Sequence, residues 1–211
     1  FKDELTPPWS YSKTVDPEEL IRFSQLAQEW WDPDGRFKPI HRFNPIRLDY
    51  IINAIAQHYC IDTDSISPFK QISVLDVGCG AGLLCEPIAA MGAAVTGIDA
   101  VARNIEVAKW HSHLGGYHIN YRHCLAEELL KSGNTFDVIT NTEVLEHVSD
   151  AEQLVKECSE LISPGGMMIA ATINRTVRSF LIAIIGAEYI LNWLPKGTHN
   201  WRRFISPDEL E

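Results

Sequence analysis

No run of about 18 apolar residues, the length a helix needs to cross a bilayer, occurs in this chain, and no secretory signal opens it. A basic balance is missing too: 18 Lys and Arg stand against 28 Asp and Glu, a formal charge of −10 with a pI near 5.2. This argues against nucleic acid as the main partner, because neutralising phosphates needs a basic face. The five cysteines, Cys60, Cys79, Cys85, Cys124 and Cys158, are odd in number and lack paired metal spacing. Reduced thiols in an intracellular protein are the expectation, and Cys79 reads as a small apolar filler rather than a nucleophile. There is no internal repeat. A chain of 211 residues with 45% hydrophobic content can bury one α/β core, and no second domain is required. Phe1 is no initiator and Glu211 ends the chain abruptly, so trimming at both ends is expected.

The most informative stretch is Ser73 to Leu84, SVLDVGCGAGLL. Val74, Leu75 and Val77 have the β-branched, apolar character of a buried parallel strand, interrupted by Asp76. Gly78, Gly80 and Gly82 follow at every second position, in a turn suited to close approach of a ligand. The dinucleotide fingerprint is G-x-G-x-x-G, whereas this pattern is D-x-G-x-G-x-G with a carboxylate inside the strand. A second acid, Asp99, ends the next strand-like run, Ala94 to Ile98, where a carboxylate can take both hydroxyls of a ribose. The glycine turn together with Asp99 resembles the S-adenosylmethionine-dependent methyltransferases of the Rossmann-like class. That resemblance places Asp76 near the methionine amino group and Asp99 near the ribose, with Gly78 and Gly80 lining the cofactor.

Along the chain, residues 1–16 read as an arm. Pro17 to Trp31 reads as a helix with Asp16 as N-cap and Pro17 at its first position, and the turn Asp32-Pro33-Asp34-Gly35 stops it. Trp30 and Trp31 read as a packing anchor. A second helix is expected from about Pro45 to Tyr59, and helices from Leu83 to Met91, Val101 to His113 and Ala151 to Leu161. Ile119 to Arg122, Phe136 to Asn141 and Met167 to Ile173 read as strands, the last after the turn Ser163 to Gly166. This alternation predicts right-handed βαβ crossovers and a mostly parallel sheet with helices on both faces.

After Phe136 to Asn141 comes TEVLEHV. If Glu143 opens a helical turn, Glu146 and His147 lie three and four residues on and all three face one side. Two carboxylates and an imidazole there can hold a divalent ion: oxygen ligation suits magnesium, while the imidazole leaves zinc or manganese open. An acid and a His at this place also occur in methyltransferases that bind no metal. Between Arg175 and Arg203 lie five cations (Arg175, Arg178, Lys196, Arg202, Arg203) and one acid, Glu188, a local charge of +4 around the apolar run Phe180 to Ala187. Such a segment suits a membrane interface or an active-site cover. Ser206, Pro207 and Glu209 begin a helix as the chain ends.

From Val15 to Leu210 the chain resembles the ubiquinone biosynthesis O-methyltransferases. The stretches that carry this are GRFKPIHRFNPIRL from Gly35, the E-x-x-E-H turn from Glu143, GAEYIL from Gly186 and LPKGTH from Leu194. The resemblance implies a 17–211 methyltransferase domain: a helical segment at 17–60, a cofactor core at 71–174 and a membrane-docking or lid insertion at 175–203. Further edge strands of the family are absent from this chain. It implies O-methylation of a polyprenylated catechol or demethylubiquinol, with Arg47 and Thr142 at the S-adenosylmethionine site and a metal, most simply magnesium, on Glu143, Glu146 and His147. His147 can otherwise serve as general base. The implied partners are the prenylated phenol or quinol, a membrane surface met by 175–203, and a ubiquinone-biosynthesis complex. The implied location is peripheral on the inner membrane, facing the cytoplasm or the mitochondrial matrix. The alternatives are a methyltransferase for another small acceptor and an inactive cofactor-binding partner protein.

Overall fold

The structure is a computed structural model that describes residues 12–176 and 201–210. Five parallel strands form, mostly from apolar runs bounded by turn residues: β1 (Ser73–Val77), β2 (Ala94–Asp99), the polar edge strand β3 (Asn120–His123), β4 (Phe136–Thr142) and β5 (Ile162–Ala171). They form one sheet in the order β3-β2-β1-β4-β5, with Val77 paired to both Ile98 and Asn141 at the carboxyl ends. The direction of winding reverses between β1 and β4, and a parallel sheet offers its ligand crevice at such a reversal, beyond the carboxyl ends. Fold class and strand sequence therefore match the expectation.

Both faces of the sheet are covered. Val74 and Val138 face a core shared with Ile51, Ile55, Phe69 and Ile88, while Leu75, Val77 and Ile139 face one shared with Leu129, Leu154 and Cys158. The covering helices are α1 (Pro17–Leu26), α2 (Lys38–Tyr59), α3 (Cys85–Ala90), α4 (Ala102–Gly115), α5 (Ala126–Lys131) and α6 (Ala151–Glu160). Asp16 caps α1 by accepting from the Glu18 N–H, with Pro17 first in the helix, as its sequence predicts. Residues 14 and 15 are packed: Val15 is buried beside Leu125, and the Ser149 hydroxyl donates to its carbonyl.

Three boundaries differ from the sequence reading, the first being the end of α1, which stops at Leu26 and passes into a 3₁₀ turn at Ala27–Glu29 instead of running to Trp31. The helix expected from Pro45 begins at Lys38, with Pro39 in its first turn and Pro45 inside. An interior proline costs roughly 3 kcal/mol, but the surrounding turns are held from outside. The His41 ring bonds the Trp30 carbonyl (2.8 Å), and the Asn44 amide donates to the Leu83 carbonyl (3.0 Å). The Ser163 to Gly166 turn, expected before the last strand, lies within β5, where the register against β4 shifts between Phe136 and Val138. Pairing on both sides of the turn makes it a bulge. Among the described residues no helix is long and apolar enough to cross a membrane.

Helix α2 is joined to the sheet mainly through Ile51 and Ile55, both fully buried. Replacing Ile55 by Ala is expected to cost about 2 to 5 kcal/mol, read as a fall in the urea midpoint. A loss under about 1 kcal/mol would show that the site collapses around the gap.

Candidate active site

The glycine turn leaves β1 and doubles back over the end of β2: the N–H groups of Gly78 and Cys79 both donate to the Ile98 carbonyl (2.8 and 3.0 Å). Gly78 and Gly80 hold positive φ values, 71° and 54°, a region that costs a side chain energy. The space a side chain would need is also taken. A Cβ on Gly78 would collide with Val144, and one on Gly80 would stand 2.7 Å from Trp30 Cζ2. The close approach that these glycines allow is thus filled in part by the chain itself.

Asp99 closes the turn. Its Oδ2 accepts from the Gly80 N–H (2.9 Å), and its Oδ1 accepts from the Val101 N–H (2.7 Å) and from Asn104 Nδ2 (3.3 Å). Three donors on a carboxylate with about four acceptor positions leave it able to take a further hydroxyl. Burial pushes its carboxyl above the ordinary range. Asp76 is turned the other way, into the protein: Thr140 Oγ1 donates to one oxygen (2.7 Å) and Cys85 Sγ to the other (3.2 Å). It is 3% exposed, and burial pushes its carboxyl up to about 6. Asp76 anchors the turn from beneath, with Arg47 and Asp99 as its charged neighbours.

His41, Asn44 and Arg47 follow at three-residue spacing along α2, which gives the H-R-F-N-P-I-R motif a structural meaning. The first two bind backbone carbonyls, and Arg47 reaches the crevice, where its Nη2 donates to Glu143 Oε1 (3.2 Å). Arg47 is largely buried, and its Nε has no partner. A guanidinium with one fork engaged and a buried donor unmet suits a second carboxylate, such as that of an amino-acid ligand. The residues thus fit the methionine end of S-adenosylmethionine as well as its ribose.

Glu143 does not open a helical turn. Its φ is +58°, and the short 3₁₀ turn comes later, at Leu145–His147. The backbone turns because the Glu143 N–H continues the sheet by donating to the Ala171 carbonyl (2.8 Å). As a result the three side chains are divided. Glu143 pairs with Arg47; Glu146, 4% exposed, accepts from Thr172 Oγ1 (2.9 Å); His147 Nδ1 bonds Glu19 Oε2 on α1 (3.0 Å). Only the two glutamates adjoin, and burial with the like charge of Glu146 pushes Glu143 up to about 7. Among the described residues no group of three or more His, Cys, Asp or Glu is placed to hold a metal. In this arrangement Glu143 is paired with Arg47 and His147 with Glu19, so the three side chains do not present a joint ligand set. Thr142 is the last residue of β4, paired with Ala171.

Several contributors carry no mark of a site residue in the sequence, Trp30 and Trp31 reading there only as a packing anchor. Trp30 meets Gly80 and Asn104, Trp31 donates to the Ala81 carbonyl (3.0 Å), and Glu19 and Phe23 contact His147. The adjacent tryptophans before a turn were the available signal; nothing local marks Glu19 or Asn104. Of the basic segment, residues 177–200 lie outside the described residues. At its margins, Arg175 pairs with Glu209 and donates to the Phe204 carbonyl, and Arg203 pairs with Asp16 (2.7 Å). These two cations are tied to the body of the protein.

Known proteins similar to this chain in sequence or fold include methyltransferases. Residues 75–170 match a family model described as a methyltransferase domain. A ubiquinone biosynthesis O-methyltransferase of Chelativorans sp. (strain BNC1) is 51% identical over 97% of the chain and 81% of its own length. A protein of the same name from Mesorhizobium japonicum is 52% identical over 94% of the chain and 80% of its own length. Among solved structures, magnesium protoporphyrin IX methyltransferase from Synechocystis PCC 6803, with bound SAH, superposes with a TM-score of 0.66. It is 19% identical, over 90% of this chain and 80% of that one, which speaks for the fold.

The buried Asp76 predicts a pH signature. Its carboxyl rises from the usual 3.8 to about 6 in the folded protein, so the folded state binds the proton more tightly. The contribution of Asp76 to stability is full below about pH 4 and is lost as pH rises through about 6. Asp76→Asn removes this dependence, and from about pH 4 to about pH 7 the variant should gain roughly 2 to 3 kcal/mol relative to wild type. Denaturant titrations at several pH values measure it; a pH-independent difference would place the titration on another group.

Proposed function

The chain belongs to the ubiquinone biosynthesis O-methyltransferases, and from that membership we propose that it methylates a hydroxyl of a polyprenylated catechol or demethylubiquinol. The observation that carries this reading is the 51% identity over nearly the whole chain, which takes in the glycine turn, the Arg47 helix and the E-x-x-E-H turn together. S-adenosylmethionine, when bound, supplies an electrophilic methyl on a sulfonium sulfur. Asp99 takes the ribose hydroxyls and Arg47 the methionine carboxylate, with Gly78 and Gly80 giving the backbone room to approach. Thr142 lines the crevice where β4 ends, and Asp76 sets the turn from below.

For the acceptor, the chain must remove a phenolic proton and keep the oxygen dry and aligned, since displacement at a sulfonium asks for little else. The adjoining Glu143 and Glu146 carboxyls suit that task. Glu146 Oε1 is buried without a partner, and like charges side by side make one of the pair a ready proton acceptor near neutrality. His147 is held edge-on against Phe23 and bonded to Glu19, so α1 forms a wall of the acceptor side.

A substrate with a polyprenyl tail lives in the bilayer, and residues 175–203 supply the means to reach it. An apolar run flanked by cations buries its side chains at the headgroup boundary, each free cation adding about 1 kcal/mol on anionic lipid. Arg175 and Arg203 are spent on Glu209 and Asp16, which leaves this role to the cations between them. The protein then works as a peripheral enzyme, within reach of other enzymes of the pathway.

Two measurements test the reading. Glu146→Gln keeps an acceptor for Thr172 but removes the acid. Turnover in a methyl-transfer assay on a catechol should fall by about a hundredfold or more, with S-adenosylhomocysteine affinity held within about twofold. Full turnover would remove the pair from proton transfer. Separately, replacing Phe180, Ile184 and Trp193 together by Ser should abolish salt-sensitive binding to anionic liposomes while activity on a soluble short-chain catechol survives. Equal liposome binding by a folded triple variant would make the segment a cover or part of the core.

A further inference from the structure

Trp30 reads from sequence as a packing anchor, yet its surroundings are those of a ligand site. It follows the 3₁₀ turn Ala27–Glu29 and is fixed from several directions. His41 bonds its carbonyl, the Phe37 ring stacks on it at 3.9 Å and 8°, and its Nε1 donates to Asn104 Oδ1 (3.0 Å). The edge next to that nitrogen, Cζ2 and Cη2, rests over Gly80. Gly80 and Asn104 are also two of the three donors that hold Asp99. One indole therefore touches both a backbone and a side-chain partner of this carboxylate.

Asn104 is 2% exposed, and both ends of its amide are used: the oxygen accepts from Trp30 and the nitrogen donates to Asp99. An N–H donated to an amide oxygen polarises that amide and strengthens its own N–H as a donor. The orientation and charge of Asp99 are thereby coupled to the indole. Trp30 itself stays partly exposed although its polar atom is satisfied, and its ring edge lies against Gly80, whose N–H holds Asp99.

We propose that Trp30 walls the ribose side of the cofactor site and, through Asn104, positions Asp99 to receive the ribose hydroxyls. The proposal rests on the reading of Asp99 as the ribose carboxylate. It makes Asn104 a positioning residue and makes the turn between α1 and α2 part of cofactor recognition.

The experiment is a ligand-by-residue cycle. Dissociation constants for S-adenosylhomocysteine and for its 2′-deoxy analogue are measured by calorimetry on the full chain, for wild type, Trp30→Phe, Asn104→Ser and Asp99→Ala, alongside melting temperatures. Phe at position 30 can still stack on Phe37 but has no N–H; Ser at 104 leaves the indole without its acceptor. Each of the two should bind S-adenosylhomocysteine roughly threefold to tenfold more weakly, the worth of one hydrogen bond. Most of that loss should vanish with the analogue, because the hydroxyl it reports on is gone. Wild-type or tighter binding by both variants, or an equal loss on both ligands, overturns the proposal if Asp99→Ala still discriminates less between the ligands. Should Asp99→Ala bind both ligands as wild type does, the reading of Asp99 itself has failed. If Trp30→Phe does not fold, Asn104→Ser decides the matter alone.

Discussion

The carboxylate of Asp99 is the interaction on which the cofactor crevice depends. A carboxylate in this position, 8% exposed, loses most of its hydration and needs donors in exchange. It obtains them from two pieces of chain: the glycine turn through the Gly80 N–H, and the start of α4 through the Val101 N–H and the Asn104 side chain. Satisfying one charge at the end of β2 therefore fixes the glycine turn and the start of α4 relative to each other. The positive φ of Gly80 belongs to the same constraint, because its N–H must point back at the end of β2 while the chain proceeds toward α3.

Four acids, Asp76, Asp99, Glu143 and Glu146, converge on the carboxyl ends of the strands, and Arg47 is the cation set among them. Burial pushes Asp76, Asp99 and Glu143 toward neutrality. Two buried polar atoms beside these groups, Arg47 Nε and Glu146 Oε1, have no protein partner among the described residues. Each is a buried polar atom on the crevice side, the kind of debt a bound ligand settles.

The division of the E-x-x-E-H turn shows how a local pattern is overridden. On a helix, Glu143, Glu146 and His147 would share a face. Here β4 continues its pairing with β5 through the Glu143 N–H, and the helical turn starts late. The backbone of Glu143 takes up the change of direction in the left-handed region. His147 then meets α1, a segment 128 residues away in sequence, and no local periodicity carries that contact.

Sequence alone determined the order of strands and helices, the glycine turn, the two acids that flank it and the family, because each is written in short-range pattern: an apolar run in β1, glycines at alternate positions, a carboxylate at the end of β2. Arg47 was marked only through the resemblance of the GRFKPIHRFNPIRL stretch to the family. Tertiary structure decided the rest. Where α2 begins, how the P-G-G turn becomes a bulge, which way Asp76 faces and which partners occupy Glu143 and His147 all depend on atoms brought from distant segments. Trp30 illustrates the difference: its sequence neighbours mark an aromatic pair before a turn, but only the packing of that turn on α4 puts its N–H on Asn104 and its ring on Gly80. Local spacing can specify which groups are present and which side of an element they take, whereas the pairing of buried polar groups is settled by desolvation, which acts only once the chain has closed around them.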